Sequence, residues 1–468
     1  MKRIFGVLAI IIIAIVSAAV LLTEYDASKN VGKKQEIYVG VAYCGNSVED
    51  GKLLIDRVKG YTNLFVSQSG LLQRDLNSVD ELGDYAVSAG LYFLPYFGVY
   101  VPNLSLWLQN ATRRWGTRFL GVYYADEPGG KMLDDYVDFK DATGDSITKT
   151  TYGDIEVKKP DGINVLYQIG GVIKVLEPAN ATENSSADRA AINETGKDLY
   201  VAFYPNGTIN VADASSLTPK SEDVSSWDNL TYQGLMDERP FKNVNEAAER
   251  FCAQTQSNIE NLTSSTRVFT SDYALYWFDY LSGYNVILAQ IGWNNSFAQN
   301  IALARGAAKL QSKDWGVDIT WKYNSPPYLD NGSEIFNQMR TSYECGAKYI
   351  VLFDYYENNE NPYGTLKDEH FLALENFWNK VVQNPNEILG STEAEAALVL
   401  PKNYGWGMRW KEDNIWGVMK PDQNSPQIWN SLQKALANNG LHLDIVYDDP
   451  TFQVTGKYAQ IIYWNQTT

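Results

Sequence analysis

Along this chain, continuous apolar runs alternate with stretches whose apolar positions recur at helical spacing. The runs at 37–43, 63–67, 92–97, 120–124, 268–273, 285–291, 315–321 and 349–355 read as eight strands. They are apolar throughout rather than every second residue, as expected for parallel strands buried on both faces. Between them, segments such as 79–89, 300–310 and 332–344 carry helical periodicity. Eight strand–helix units over about 350 residues predict an α/β fold, a (β/α)8 TIM barrel spanning 35–383. The competing arrangement is an open doubly wound sheet. No glycine-rich phosphate loop follows any strand, which weakens that alternative and argues against a dinucleotide; no cofactor is expected.

Two segments depart from the rhythm. After the fourth strand, 141–243 carries alternating β patterns with turn signals at 159–162 and 205–207, a β-rich insertion before an amphipathic helix at 243–261. Loops at that end of a barrel overlie its ligand site, so the insertion is expected to form a lid or wall over the cleft. Beyond a boundary at 384–393, residues 394–468 read as a small α/β module. It is too short for a complete doubly wound domain and is therefore either truncated or packed on the barrel.

The first 34 residues are a third region. Lys2 and Arg3 precede an apolar segment at 4–22, with Glu24 and Asp26 beyond it, a charge order that leaves the basic end inside and exports the rest. Ser17, Ala18 and Ala19 suit a signal peptidase, yet the segment is nearly long enough to span a bilayer, so signal peptide and membrane anchor both stay open. An extracytoplasmic body, secreted or anchored to the cell membrane, follows from either. Asn-x-Ser/Thr sequons begin at Asn103, Asn110, Asn180, Asn184, Asn193, Asn206, Asn229, Asn261, Asn294, Asn331 and Asn465, against about four expected by chance, and support an extracellular glycoprotein.

A net charge of -17 excludes nucleic acid as a partner, because displacing phosphate counterions needs clustered Lys and Arg; a neutral or cationic ligand fits better. Cys44, Cys252 and Cys345 form no CxxC, and His370 and His442 are the only histidines, so neither a zinc site nor a histidine-assisted nucleophile is supplied; no metal is expected. Chemistry must come from carboxylates and tyrosines.

The stretch 119–130, FLGVYYADEPGG, is where an apolar strand delivers two adjacent acids, Asp126 and Glu127, to a loop. In a barrel the carboxyl ends of strands face the active site. Other strand-end candidates are Tyr43, Tyr96, Asp272, Tyr273, Gln290, Trp293, Tyr323, Asp354, Tyr355 and Glu357. Glycosidic cleavage needs two carboxyl groups, one protonating the leaving oxygen and one attacking or activating water. Glu127 and Glu357 are the preferred pair, Asp126 an orienting group and Asp354 the alternative second acid. The other reading of Asp126 is a helix N-cap. Tyr43, Tyr96, Asp272, Tyr273, Gln290, Trp293, Tyr323 and Tyr355 are the candidate substrate-binding residues, and the runs Tyr276-Trp277-Phe278 and Trp406 to Trp416 offer further surfaces for sugar rings.

The Asp126-Glu127-Pro128 segment resembles the fourth-strand Asn-Glu-Pro of (β/α)8 glycoside hydrolases related to cellulases and β-galactosidases, with Glu127 at the position of the acid/base. ALVLPKNYGWG, IWGVMKPDQNSPQIWNSL, LHLDIVYDD and YAQIIYWN resemble the flavodoxin-like module after the barrel in family 42 type β-galactosidases. The seventh strand, WGVDITWKYN, lacks the terminal glutamate that serves those families as nucleophile, and Asp318 sits early for that role. The adjacent Asp-Glu is also similar to hexosaminidases, where the aspartate orients the substrate's acetamido group and no seventh-strand carboxylate is needed. The resemblance implies an exported glycoside hydrolase-like protein acting on a poly- or oligosaccharide. The alternative is a non-catalytic surface protein binding cell-envelope glycans through a degenerate barrel site, with the membrane as a partner if the N-terminal segment is uncleaved.

Overall fold

The computed structural model describes residues 36–98, 101, 103–134, 139–140, 146–149, 155–158, 164–167, 173–176, 199–203, 209–213, 241, 243–293, 295–323, 325–355, 361–384 and 388–466. Two compact units emerge, 1–37 and 38–468; of the first, only Glu36 and Ile37 are described, so the expected signal or anchor segment lies outside the described residues. No helix among the described residues is long and apolar enough to cross a membrane.

In the second unit eight parallel strands close into a barrel: β1 (Tyr38–Tyr43), β2 (Leu64–Ser67), β3 (Tyr92–Phe97), β4 (Val122–Tyr124), β5 (Val268–Asp272), β6 (Val286–Ile291), β7 (Asp314–Ile319) and β8 (Tyr349–Phe353). Closure runs from β8 back to β1, with Tyr38 opposite Tyr349 and Ala42 opposite Phe353. The helices are α1 (Val48–Val58), α2 (Leu76–Ser88), α3 (Leu104–Trp115), α4 (Pro128–Asp134), α5 (Val244–Thr263), α6 (Tyr276–Leu281), α7 (Phe297–Gln311), α8 (Gly332–Glu344) and α9 (Asp368–Phe377). Several start where a capping side chain accepts backbone N–H bonds: Ser47 for α1, Asp75 for α2, Asn243 for α5 and Asn331 for α8. The TIM barrel expected from the apolar rhythm is therefore present.

Successive side chains of a strand point to opposite faces, so alternate residues fill the barrel. Leu64 and Val66, Leu94, Phe269, Val286 and Leu288, and Tyr349 and Val351 form that interior, where Tyr38 stacks on Tyr349 at 4.8 Å. Two residues further toward the carboxyl ends, the same inward series continues with Tyr96, Ser271, Gln290 and Phe353, and Asp318 follows Gly316 on β7. The upper layer of the barrel is thus polar where the lower layers are apolar.

Locally, β4 begins at Val122 rather than residue 120. Gly121 has φ +134 and lies against the Arg267 carbonyl, where any Cβ would overlap, and Phe119 makes only an isolated bridge to Phe93. The helix that follows the paired acids spans Pro128–Asp134, and Phe139–Lys140 is a strand. Between α4 and α5, Phe139–Lys140, Ser146–Lys149, Ile155–Lys158, Asn164–Tyr167 and Ile173–Leu176 form an antiparallel sheet, and Leu199–Phe203 pairs with Ile209–Asp213. β structure thus occurs within the stretch expected to be β-rich, with Phe139–Lys140 just before it; the connecting segments, both turn signals and most of the expected lid lie outside the described residues.

At the C-terminal end, β9 (Ala396–Leu400), β10 (Leu443–Tyr447) and β11 (Gln460–Tyr463) form a parallel sheet in the order β10-β9-β11, with α10 (Ser425–Asn439). The module is packed on the barrel. Helix α7 is buried from Gln299 to Ala308, more than an amphipathic surface helix would be, because it also covers this second sheet. Arg305 of α7 donates to Asp444 Oδ1 at 2.7 Å and to the Thr392, Leu441 and Leu443 carbonyls, a buried ion pair with its remaining donors satisfied.

Candidate active site

The loop after β4 is built on unusual backbone. Ala125 and Glu127, neither a glycine, sit in the left-handed region at φ 54 and 55, a conformation that costs about 1–2 kcal/mol each and persists only when its surroundings fix it. Those surroundings are identifiable. Ala125 N–H donates to the Phe97 carbonyl, Glu127 N–H to the Ser271 carbonyl, and the Glu127 carbonyl accepts from Lys131 N–H to open α4. The amides of Gly129 and Gly130 at the start of α4 donate to the Asp272 carboxylate at 2.6 and 2.8 Å. Only glycine fits there: a Cβ on Gly130 would overlap the Tyr273 ring, and one on Gly129 would approach the Ala274 carbonyl.

Asp126 and Glu127 enter one hydrogen-bonded layer. Gln68 Nε2 donates to Tyr123 Oη at 3.2 Å, and the Tyr123 hydroxyl donates to Asp126 Oδ1. Ser271 Oγ donates to the same oxygen at 3.1 Å. Gln290 Nε2 donates to Ser271 Oγ at 3.0 Å and to Glu127 Oε1 at 2.6 Å. Lys131 Nζ donates to the Asp126 main-chain carbonyl at 2.8 Å and stands 4.0 Å from Glu127 Oε2. The Glu127 side chain keeps 25% of its surface exposed, so it can meet a ligand.

These contacts separate the two acids. Burial first, then the charge of Asp126, pushes the Glu127 carboxyl up to about 8, with Gln290 and Lys131 opposing. Burial also raises Asp126, but the Lys131 ammonium and the Tyr123 and Ser271 hydroxyls pull it back. Asp126 is accordingly the member of the pair held as a hydrogen-bond acceptor, and Glu127, pushed up to about 8, the member that keeps a proton at neutral pH. Like-charged neighbours driven apart in this way are how one site comes to hold both an acid and a base.

A third carboxyl belongs to this layer. Asp318, paired with Gln290 across β6 and β7, is 2% exposed, and burial together with Asp126 and Glu127 holds it well above the usual carboxylate range. Sequence reading set Asp318 aside as too early in its strand. The inward series through Gly316 was the signal that places it inside the barrel. The Cys44 thiol, raised by burial and by Asp354, Asp318 and Asp126, borders the same space.

The other candidates divide by strand face. Tyr43 follows inward Ala42 and so faces outward; it is fully buried, and its hydroxyl donates to the Ser47 carbonyl at 2.6 Å to secure the start of α1. Asp272 follows inward Ser271 and accepts from the backbone N–H groups of Gly129, Gly130, Tyr273 and Ala274; burial lifts it to about 7 against those four bonds. It supports the loop from behind rather than meeting substrate. The N-cap role weighed for Asp126 is thus filled by Asp272. Tyr273 donates to Asp134 Oδ2 at 2.8 Å, and Asp134 is also bound by Arg409, so this tyrosine ties α4 to the C-terminal region. Asp354 is fully buried against Gly364, raised to about 7 by burial with the Thr365 backbone opposing, and Glu357 lies outside the described residues.

Tyr96 lies at the mouth, half-buried and edge-on to Tyr123 at 5.0 Å. Trp293, Tyr323 and Tyr355 are 42%, 40% and 40% exposed. Trp293 and Tyr355 flank Trp321, at ring separations of 6.0 and 4.5 Å, with Tyr328 also 4.5 Å from Trp321. The sequence reading did not single out Trp321 and Tyr328. Tyr276, Trp277 and Phe278, with Trp406 and Trp416, are buried packing residues, whereas Trp410 within the second run is 51% exposed. Among the described residues no cluster of His, Cys, Asp and Glu could hold a metal ion.

No protein-family model matches the chain, and no curated protein sequence matches it. Among solved structures it is similar to the spore coat polysaccharide biosynthesis protein spsE of Bacillus subtilis, at 9% identity and TM-score 0.34, covering 77% of this chain and 73% of that one. It is similar to the β-glycosidase BGL167 at 10% identity and TM-score 0.37, over 76% and 98% of the two chains. A variant of the O-GlcNAc hydrolase of Thermobaculum terrenum gives 10% identity and TM-score 0.31, over 76% and 61%. Likenesses this distant do not bear on the activity of this chain.

Proposed function

We propose that this barrel is a glycoside hydrolase acting on a poly- or oligosaccharide, with Glu127 as the general acid. One observation carries the reading. Glu127 stands at the carboxyl end of β4, partly open, oriented through Oε1 by Gln290 and pushed up to about 8 beside an Asp126 that two hydroxyls keep as an acceptor. A carboxylic acid that is still protonated at neutral pH can pass its proton to a departing glycosidic oxygen, and a carboxylate next to it can stabilise positive charge growing at the anomeric carbon. The exposed rings of Trp293 and Tyr355 supply faces on which sugars stack.

The finer resemblance to family 42 type enzymes, with a flavodoxin-like module, belongs to this proposal, as does export. Support for export is that the sequon asparagines Asn103, Asn110, Asn261, Asn331 and Asn465 are all exposed. The test is Glu127→Gln in the full chain, assayed on a panel of poly- and oligosaccharides. Release of sugar should fall by about 10²–10⁴-fold while glycan binding persists. Unchanged release would rule out Glu127 as the acid.

A second reading, a glycan-binding protein without turnover, is favoured by the burial of Asp272, Asp318 and Asp354 and by the engagement of Asp126 Oδ1 by the Tyr123 and Ser271 hydroxyls. Glycan binding by the unaltered protein with no new reducing ends would select it.

A further inference from the structure

Beside Asp126, a cavity of about 320 Å³ opens between the β3 and β4 ends and helix α5. That volume is within the range of small-ligand pockets. Its walls are chemically divided. Phe241, Phe251 and Met132 give an apolar floor, whereas Arg250, Gln254 and Asn258, spaced by four residues along α5, present one polar stripe, with Lys131 on the facing wall. Gln254 and Asn258 are exposed, and their side chains make no hydrogen bond among the described residues. Arg250 forms no ion pair among them either; its guanidinium rests 5.8 Å from the Phe241 ring centre, a contact that restrains its plane.

Two cations at one pocket are out of character for a chain of net charge -17. Among the described residues that line the cavity the only acid is Asp126, whose Oδ1 is already engaged by Tyr123 and Ser271. Lys131 spends one donor on the Asp126 carbonyl and stands 4.0 Å from Glu127 Oε2, which leaves it at least one donor without a partner among the described residues. A planar guanidinium whose donors have no partner among the described residues matches a carboxylate in two-point geometry, neighbouring amides suit sugar hydroxyls, and the apolar floor suits the C–H face of a ring.

We infer that this cavity is a subsite for a carboxylate-bearing sugar, a uronic acid unit of the glycan, with Arg250 and Lys131 on its carboxylate and Gln254 and Asn258 on its hydroxyls. It refines the glycoside reading, since it places an acidic residue of the chain next to the Asp126–Glu127 pair. The preference of an acidic protein for neutral or cationic ligands, expected from overall charge, is reversed at this point by local charge.

The experiment measures binding of uronate-containing oligosaccharides and of the same oligosaccharides after carboxyl reduction, using the full chain carrying Glu127→Gln so that turnover does not interfere. Uronate-containing glycans should bind at least tenfold more tightly than their reduced counterparts. Adding Arg250→Gln should remove that preference, and Arg250→Lys should keep part of it. Equal affinity for both forms, no binding of either, or a preference that survives Arg250→Gln overturns the inference. The outcomes separate it from the hydrolase reading. Arg250-dependent uronate binding without cleavage by the unaltered protein leaves the subsite standing and the hydrolase fallen; cleavage of neutral glycans without uronate preference does the opposite.

Discussion

Gln290 Nε2 lies 2.6 Å from Glu127 Oε1 and 3.0 Å from Ser271 Oγ, so one amide joins the proposed acid to the hydroxyl that holds Asp126. Its bond to Glu127 favours the ionised form and therefore works against the rise caused by burial. Removing it must raise the Glu127 carboxyl further. In the unaltered protein, activity requires protonated Glu127 and should decline as pH rises through about 8.

Gln290→Met should move that alkaline limb to higher pH while lowering the maximal rate by roughly 10–100-fold, because the acid loses its orienting contact. A pH–rate profile of kcat/KM for both proteins checks this. A limb that moves to lower pH would contradict the assigned role of the amide.

Asp354 gives a prediction about stability rather than rate. Its carboxyl is fully buried and lifted to about 7, above the ordinary value it has in the unfolded chain. The neutral form fits the folded protein, so this contribution to stability is complete below about pH 4 and is lost as pH rises through about 7. Asp354→Asn keeps the shape and removes the titration. Its stabilisation relative to the unaltered chain should be small at pH 4, grow with pH and level off above pH 7, at up to ~4 kcal/mol. Thermal unfolding from pH 4 to 9 measures it, and a benefit that shrinks with rising pH would refute the assignment.

How far the sequence revealed the site depends on strand parity. The apolar runs announced the barrel, and Phe119 to Gly130 announced Asp126 and Glu127, because an abrupt change from apolar strand to paired acids is a local signal. Tyr43 and Asp272 were harder, since a residue at a strand end reads as rim whichever way it points. Counting by twos from the apolar interior turns both outward, and the same count brings Asp318 inward. The use of Asp272 as a cap for a helix that precedes it by well over a hundred residues had no local signal at all. Nor did the grouping of Trp293, Trp321, Tyr328 and Tyr355, which depends on β6, β7 and β8 being neighbours in the barrel.

That aromatic group should act on affinity rather than chemistry. Trp293 is 42% exposed and lies apart from the hydrogen bonds around Glu127. Trp293→Ala should raise KM for an oligosaccharide by roughly 2–10-fold, the loss of a ring-stacking contact worth about 0.5–1.5 kcal/mol, with kcat nearly unchanged. Steady-state kinetics on oligosaccharides of increasing length would show it, and a fall confined to kcat would count against a stacking role.

The central claim is that Glu127 gives a proton to the leaving oxygen, and leaving-group dependence tests this most directly. Rates for the unaltered protein and Glu127→Gln are compared on an oligosaccharide it cleaves and on the 2,4-dinitrophenyl glycoside of the same sugar, whose leaving group departs without protonation. Proton donation by Glu127 predicts a loss of about 10²–10⁴-fold on the oligosaccharide and little loss in the bond-breaking step on the dinitrophenyl glycoside. An equal loss on both substrates, or none on either, would contradict it.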